Sequence, residues 1–223
     1  MNATAKFNID NWLAGNYEQS SKEEILRLQN SNPTDLEDAF YRNLEFGTGG
    51  LRGIMGIGTN RINKYTIGMA TQGYANYLKQ CFGSDVSVAV AHDCRNNSRT
   101  FAEITANVFA ANGIKVYLFE SLRPTPELSY AIRYYKCQGG VVCTASHNPK
   151  EYNGYKAYWD DGAQMVPPHD KNVIVEVEKI ANVNDVKWSG GEENISIIGK
   201  ETDAAYLEMV KGLSIYPDRK SVV

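Results

Sequence analysis

The sequence predicts an α/β fold: a three-layer α/β/α sandwich with a mainly parallel mixed sheet, preceded by helices at the N-terminus. Two observations support this fold class. From residue 86 to residue 144, short apolar runs alternate with amphipathic stretches in the order strand, helix, strand, helix, strand. Strands joined by helices require right-handed crossovers, which build a parallel sheet covered on both faces. The first 45 residues, by contrast, are polar-rich and have only helical character.

Residues 1–45 are predicted to form a helical extension of the domain that follows. Two spacings typical of capping boxes place helix starts within this region, namely Ser21 with Glu24 and Thr34 with Glu37. We expect these helices to pack on a core rather than to bind a ligand.

A glycine-rich segment comes next, with six glycines between Gly47 and Gly58. We predict a loop there, because glycines let backbone N–H groups approach an anion closely. Arg52 lies inside the segment and carries a fork-shaped donor suited to phosphate. The segment matches neither the dinucleotide-binding nor the Walker glycine pattern, so it does not imply a nucleotide site. Glycines in such number can also mark nothing more than tight turns.

The remaining elements follow from apolar spacing and from helix start and stop signals. Helices are predicted at 64–82, 98–111, 125–137, 167–180 and 204–213, and strands at 86–91, 114–119, 140–144 and 155–159, with an edge strand within 182–200. Ser98 is expected to cap its helix, and Asn153-Gly154 is expected to form a turn. Ligands of such sheets gather beyond the carboxyl ends of the strands. Three loops are expected there, at 92–98, at 120–125 and around Ser146.

The loop around Ser146 is where we expect the chemistry. A serine hydroxyl is a poor nucleophile alone, so its neighbours must supply electrostatics. His147, Asn148, Lys150 and Lys156 are cations or donors in the same segment, and they suit a phosphate better than an acyl group. A hydrolase triad is disfavoured because the Gly-x-Ser-x-Gly elbow is missing and adjacent side chains of an extended chain point to opposite faces. An ordinary Asn-Pro turn with a capping serine is the alternative.

Three motifs resemble those of a known family. The run Thr144-Ala145-Ser146-His147-Asn148-Pro149, with Lys156 ten residues after the serine, resembles the phosphoserine loop of the α-D-phosphohexomutases, the phosphoglucomutase and phosphomannomutase family. Residues 46–53 resemble the family's Phe-Gly-Thr-Asp-Gly-Ile-Arg-Gly, with Gly49 in place of aspartate and Arg52 in register. Residues 93–98 resemble Asp-x-Arg-x-Ser with one extra residue before the serine.

The resemblance implies an intramolecular phosphotransferase of sugar phosphates that works through a phosphoserine and a bisphosphate intermediate. It implies catalytic roles for Ser146, Lys156, Arg52 and His147, and phosphate or substrate contacts for Thr48, Arg95 and Asn148. A local ion pair of Asp93 with Arg95 is an equally good interpretation of that motif. The implied cofactors are a sugar bisphosphate activator and Mg²⁺, which would bind phosphorylated Ser146 and an aspartate loop of a second domain.

By the same resemblance, residues 46–203 form the family's first domain, residues 1–45 its helical extension, and residues 204–223 the start of a second domain. The motifs of the further domains are missing, so this fragment is expected to be inactive alone. Which sugar phosphate is used stays open, and phosphopentomutase or sugar-1,6-bisphosphate synthase are the alternatives among enzymes. A non-catalytic phosphate-binding module is the alternative outside them.

Composition limits the other partners. The chain has 26 acidic and 23 basic residues without a basic block, so neither a nucleic-acid nor a membrane surface is expected. The four cysteines show no Cys-x-x-Cys spacing, which favours reduced thiols and a cytoplasmic location.

Overall fold

Six strands form a mixed sheet at the centre of the computed structural model, which describes residues 1–47 and 49–215. The strands are β1 (Gly50–Ile54), β2 (Ser87–His92), β3 (Lys115–Phe119), β4 (Gly139–Cys143), β5 (Tyr152–Trp159) and β6 (Ile195–Ile198). Their order across the sheet is β1-β5-β4-β2-β3-β6. Strand β5 runs antiparallel to both its neighbours, whereas the other three pairings are parallel. The predicted mainly parallel mixed sheet is therefore confirmed.

Helices cover both faces of this sheet. The helices are α1 (Ala3–Ala14), α2 (Gln19–Ser31), α3 (Pro33–Phe40), α4 (Lys64–Phe82), α5 (Ser98–Ala111), α6 (Thr125–Tyr134), α7 (His169–Glu178) and α8 (Lys200–Gly212). On one face, α4, α5 and α7 bury a core that includes Tyr74, Phe109 and Tyr155. On the other face, α6 buries Leu128 and Ile132 against β2 and β4, and α8 packs on α6. The three-layer sandwich is confirmed.

The first three helices form a separate apolar cluster beside the sheet domain. Trp12 lies at its centre, stacked on Tyr17 with ring centroids 4.2 Å apart and edge-on to Phe40 and Tyr65. Tyr65 belongs to α4, so this cluster is joined to the main core by packing. Residues 1–45 thus contain the predicted helices.

The two capping boxes predicted in this region are wrong. Helix α2 begins at Gln19, so Ser21 lies inside it. Helix α3 begins at Pro33 after Asn32, whose side chain accepts a hydrogen bond from the Asp35 N–H. Asparagine before a proline is a strong helix start, because the side chain satisfies a free donor and proline needs none. This pair places the start of α3 before Thr34.

Three further local predictions are corrected by the structure. Asn97, not Ser98, is the residue before α5, and Ser98 is the first residue of the helix. Asn153 and Gly154 lie within β5 and do not form a turn. The glycine-rich loop contains strand β1, which pairs with β5. In addition, the last helix begins at Lys200, a few residues before the predicted start.

Among the described residues, no helix combines the length and the apolar character that crossing a membrane requires.

Candidate active site

Ser146 lies on the loop that follows β4 and has an unusual backbone conformation. Its φ is 54°, in the left-handed region that residues other than glycine rarely adopt. Its N–H donates to the Thr144 Oγ1 at 3.0 Å, and its side chain is exposed. Such strain persists only where the surroundings enforce it, and it is common at functional sites.

Two basic side chains lie on the face of the sheet beside this serine. Lys156 of β5 donates from Nζ to the Ser146 Oγ at 2.8 Å. Arg52 of β1 pairs with Gly154, and Gly50 pairs with Lys156. Arg52 and Lys156 are therefore diagonal neighbours on the same face, roughly 7–8 Å apart at their Cα atoms. The Arg52 side chain is exposed and forms no hydrogen bond or ion pair with the part of the chain that the structure describes.

The two glycines opposite these cations keep the face open. Neither Gly50 nor Gly154 places a side chain between the two cations. A Cβ on Gly154 would lie 2.6 Å from the Thr144 carbonyl oxygen and 2.8 Å from that of Leu51. Strands β1, β5 and the end of β4 thus approach too closely at this point for any larger residue.

The Arg95 side chain binds main-chain carbonyls of the serine loop. Its Nη1 donates to the carbonyls of Pro149 (2.9 Å) and Tyr152 (3.0 Å). Its Nη2 donates to the carbonyl of Ser146 at 2.9 Å and also to that of Asn148. These four bonds account for all the terminal N–H groups of the guanidinium. The terminal donors of Arg95 are thus occupied by loop carbonyls. A phosphate contact by Arg95 stays a prediction.

Asp93 on the same loop and Asn153 of β5 support the loop of Arg95. The Asp93 Oδ1 accepts from the Arg95 N–H at 2.9 Å and from the Ser98 Oγ at 2.6 Å, and its Oδ2 lies 3.6 Å from the Arg95 Nε. The buried Asn153 donates to the Ser98 Oγ and to the Asn96 carbonyl, both at 2.9 Å. The expected ion pair therefore exists and belongs to a network that joins two loops.

For the other predicted site residues, the structure shows no side-chain hydrogen bond with Ser146 among the residues it describes. His147 is exposed and makes no hydrogen bond with a described residue. The Asn148 Oδ1 is buried and lacks a hydrogen-bond partner in the described part of the chain. Thr48 lies outside the described residues. Roles for these three side chains stay predictions.

The predicted loop at 120–125 does not join the site. Its Arg123 binds Asp203 of α8 through two hydrogen bonds, at 2.7 Å and 2.8 Å, and has Glu120 and Glu127 nearby. Arg123 therefore fastens α8 to the domain.

Beneath the site the structure is apolar and its buried groups are uncharged. Burial raises the pKa of Cys143 to about 12 and also raises the pKa of Tyr155. No group of three or more His, Cys, Asp and Glu side chains that could hold a metal exists within residues 1–47 and 49–215. The described residues thus place an exposed serine hydroxyl beside two basic side chains.

The sequence reasoning missed the strand that positions Arg52 and the carbonyl partners of Arg95. Burial alternates along 50–54 in the structure, but the sequence Gly-Leu-Arg-Gly-Ile has no matching alternation, because its apolar side chains Leu51 and Ile54 are three residues apart. The partners of Arg95 are main-chain atoms, which have no signal in the sequence.

Comparison with known proteins agrees with this fold. Residues 43–184 match the family described as phosphoglucomutase/phosphomannomutase, alpha/beta/alpha domain I. This match covers more than half of the chain, and the chain belongs to this family.

Three curated relatives are named for different activities. A probable phosphoribomutase of Schizosaccharomyces pombe is 38% identical over 81% of this chain and 31% of its own length. A phosphoglucomutase of Staphylococcus epidermidis is 40% identical over 69% of this chain and 28% of its own. The glucose 1,6-bisphosphate synthase of Homo sapiens is 35% identical over 96% of this chain and 36% of its own length. The chain thus spans only about a third of the length of these relatives.

Solved structures share the fold. A protein of Thermus thermophilus assigned as a phosphomannomutase superposes with a TM-score of 0.66 and 28% identity, over 77% of this chain and 36% of that one.

Proposed function

We propose that this chain is the phosphoserine domain of a sugar-phosphate mutase, an intramolecular phosphotransferase. The observation that carries this proposal is the hydrogen bond from the Lys156 Nζ to the Ser146 Oγ, on a face where Arg52 is also free to bind an anion. The family and the named relatives support it.

The proposed reaction transfers a phosphoryl group between Ser146 and a sugar hydroxyl. The bond from phosphorus to the Ser146 Oγ breaks while a bond from phosphorus to the sugar oxygen forms, and the proton of the sugar hydroxyl ends, in net, on Oγ. Lys156 is the donor within reach of Oγ as it leaves. The resulting bisphosphate then returns its other phosphoryl group to Ser146, so the sugar leaves as an isomer.

Lys156 and Arg52 would act by their charge. The transferring group spreads negative charge over its oxygens, and fixed cations aimed at that charge lower the barrier. We also propose that Thr48, His147 and Asn148 contact the phosphate or orient the loop, as the resemblance implies.

The residues present do not form a magnesium site by themselves. Mg²⁺ prefers several oxygen ligands in octahedral geometry, and the nearest polar partner of the Ser146 Oγ is the cationic Lys156 Nζ. A phosphorylated Ser146 would offer one ligand, and the others would have to come from outside the described residues. The proposed magnesium requirement therefore depends on residues that are not in this part of the chain.

We further propose that the sequence continues in a complete polypeptide with a second domain starting near residue 204, and that the chain alone is inactive. The relatives are about three times as long as the segments they share with this chain. The substrate would be a hexose or pentose phosphate, because relatives of both kinds are similar to the chain at nearly equal identity. A bisphosphate activator would start the cycle, and the free thiol state of all four cysteines favours the cytoplasm.

Replacing Ser146 by alanine in the complete polypeptide tests the proposal. Mutase turnover with glucose 1-phosphate or ribose 1-phosphate should be lost, while thermal stability changes by less than about 0.5 kcal/mol because the side chain is exposed. Ser20→Ala, at an exposed serine of α2, is the matched control. Turnover within about tenfold of wild type would refute Ser146 as the carrier, and a wild type that binds phosphate without turnover would favour a non-catalytic module.

A further inference from the structure

We propose that Arg95 is a positioning residue for phosphoryl transfer: it fixes the Ser146 loop by its backbone so that the serine hydroxyl is held at Lys156. The catalytic consequence rests on the proposed function, whereas the hold on the loop is a property of the fold alone.

The four carbonyls that Arg95 binds extend along the whole loop. They belong to Ser146, Asn148, Pro149 and Tyr152, the last of which begins β5. Only 12% of the Arg95 side chain is exposed. Carbonyl groups turned toward a partly buried centre need hydrogen-bond donors, because an unsatisfied buried acceptor is destabilising. One guanidinium therefore replaces the hydrogen bonds that a strand or helix would otherwise provide.

The strained conformation of Ser146 depends on this hold. The left-handed conformation is unfavourable for a non-glycine residue, so the surroundings must enforce it. Three contacts act on Ser146: its N–H donates to Thr144, its Oγ accepts from Lys156, and its carbonyl accepts from Arg95 at 2.9 Å. Among the described residues, only Arg95 bonds the carbonyl, and so acts on the peptide plane that follows the serine.

The chemistry of the interaction requires arginine. A planar guanidinium can donate in several directions from one fixed plane, whereas a lysine ammonium has three donors at a single point. The plane itself is set by Asp93, which accepts from the Arg95 N–H and lies 3.6 Å from Nε. Arg95→Lys should therefore keep the charge and lose the geometry.

The first test measures the loop in the 223-residue chain by amide hydrogen exchange. In Arg95→Lys, the amides of Ser146, Asn148 and Tyr152 should exchange at least about tenfold faster, while those of β4 stay protected. Arg99→Lys is the matched control, because Arg99 is exposed on α5 and pairs with Glu103. Unchanged exchange in Arg95→Lys would overturn the proposed hold on the loop.

The second test separates positioning from phosphate binding in the complete polypeptide. A positioning role predicts that kcat falls about 10²-fold in Arg95→Lys while KM for the sugar phosphate stays within about twofold. A raised KM with unchanged kcat would overturn it in favour of a phosphate ligand. A wild-type enzyme without turnover would contradict the proposed function instead, and the hydrogen-exchange result would then decide the hold on the loop by itself.

Discussion

At the scale of single residues, the site is built from one strained loop residue and two strand residues. Ser146 depends on its loop, whereas Lys156 and Arg52 are placed by the register of β5 and β1. Side chains on paired strands are held more precisely than side chains on loops. The backbone positions of the two cations are therefore fixed by the register of the strands.

Alanine at either cation should lower kcat with folding intact. Removing one donor that faces transition-state charge typically costs about 10²–10³-fold in rate. We expect this loss in Lys156→Ala and in Arg52→Ala, assayed in the complete polypeptide beside thermal melting. Lys6→Ala, at an exposed position of α1, is the control. An unchanged kcat in both variants would limit these residues to a structural role.

At the scale of elements, periodicity was a reliable guide wherever an element carries its own signal. The helices predicted at 64–82 and 98–111 are confirmed as α4 and α5. Strand β1 was missed because Gly50 and Gly53 lower its intrinsic strand propensity, and it exists through its pairing with β5. That pairing is also what brings Arg52 to the serine. The motifs that resemble those of the family pointed to Ser146, Lys156 and Arg52, whereas the strand pairing that brings Arg52 toward the serine could not be predicted.

The junction of α6 with α8 contains a carboxyl group that the proposed mechanism does not use. Burial, with the neighbouring Asp203 as a second cause, raises the pKa of Glu127 from 4.5 to about 7, although Arg123 opposes the shift. The side chain is almost fully buried, and its Oε1 has no hydrogen-bond partner among the described residues. Glu127 is therefore protonated over a pH range in which an exposed glutamate is ionised.

This shift predicts how stability depends on pH. Below about pH 4.5 Glu127 is protonated in both states, and between about 4.5 and 7 only the folded state retains the proton. The unfolded state binds fewer protons there, so the free energy of unfolding should fall as pH rises, by up to roughly 3 kcal/mol. Urea unfolding at several pH values should show this fall in wild type.

The variant Glu127→Gln isolates the effect, because glutamine has a similar shape and does not titrate. Its stability should lack the decline between about pH 4.5 and 7 that Glu127 causes. Glu193→Gln, at an exposed position, should keep the wild-type dependence. Identical pH profiles for wild type and Glu127→Gln would contradict the assignment.

At the scale of the whole molecule, the chain is a folded domain that holds part of a site. The sheet, its covering helices and the N-terminal helical cluster supply separate buried cores that pack on one another. The described residues supply the serine and two cations but no metal-binding cluster. Folding therefore needs only the cores of this chain, whereas the proposed catalysis needs residues outside its described part.

We accordingly expect the 223-residue protein to fold and not to turn over. Circular dichroism should show a cooperative melt, and a coupled assay with glucose 1-phosphate, bisphosphate activator and Mg²⁺ should show no mutase activity. The reason is that phosphoryl transfer needs its charge neutralised and its substrate positioned, and most of those groups would lie in other domains. Substantial activity of the folded chain would show that the catalytic parts lie elsewhere than proposed.

In the proposed mechanism, Ser146 carries the phosphoryl group. Intact-mass measurement of the complete polypeptide, after exposure to glucose 1,6-bisphosphate and Mg²⁺ and followed by peptide mapping, tests it most directly. We predict a fraction of molecules with one added phosphoryl group, located on Ser146 and absent in Ser146→Ala. Persistence of that mass in Ser146→Ala, or its location on another residue, would contradict the claim.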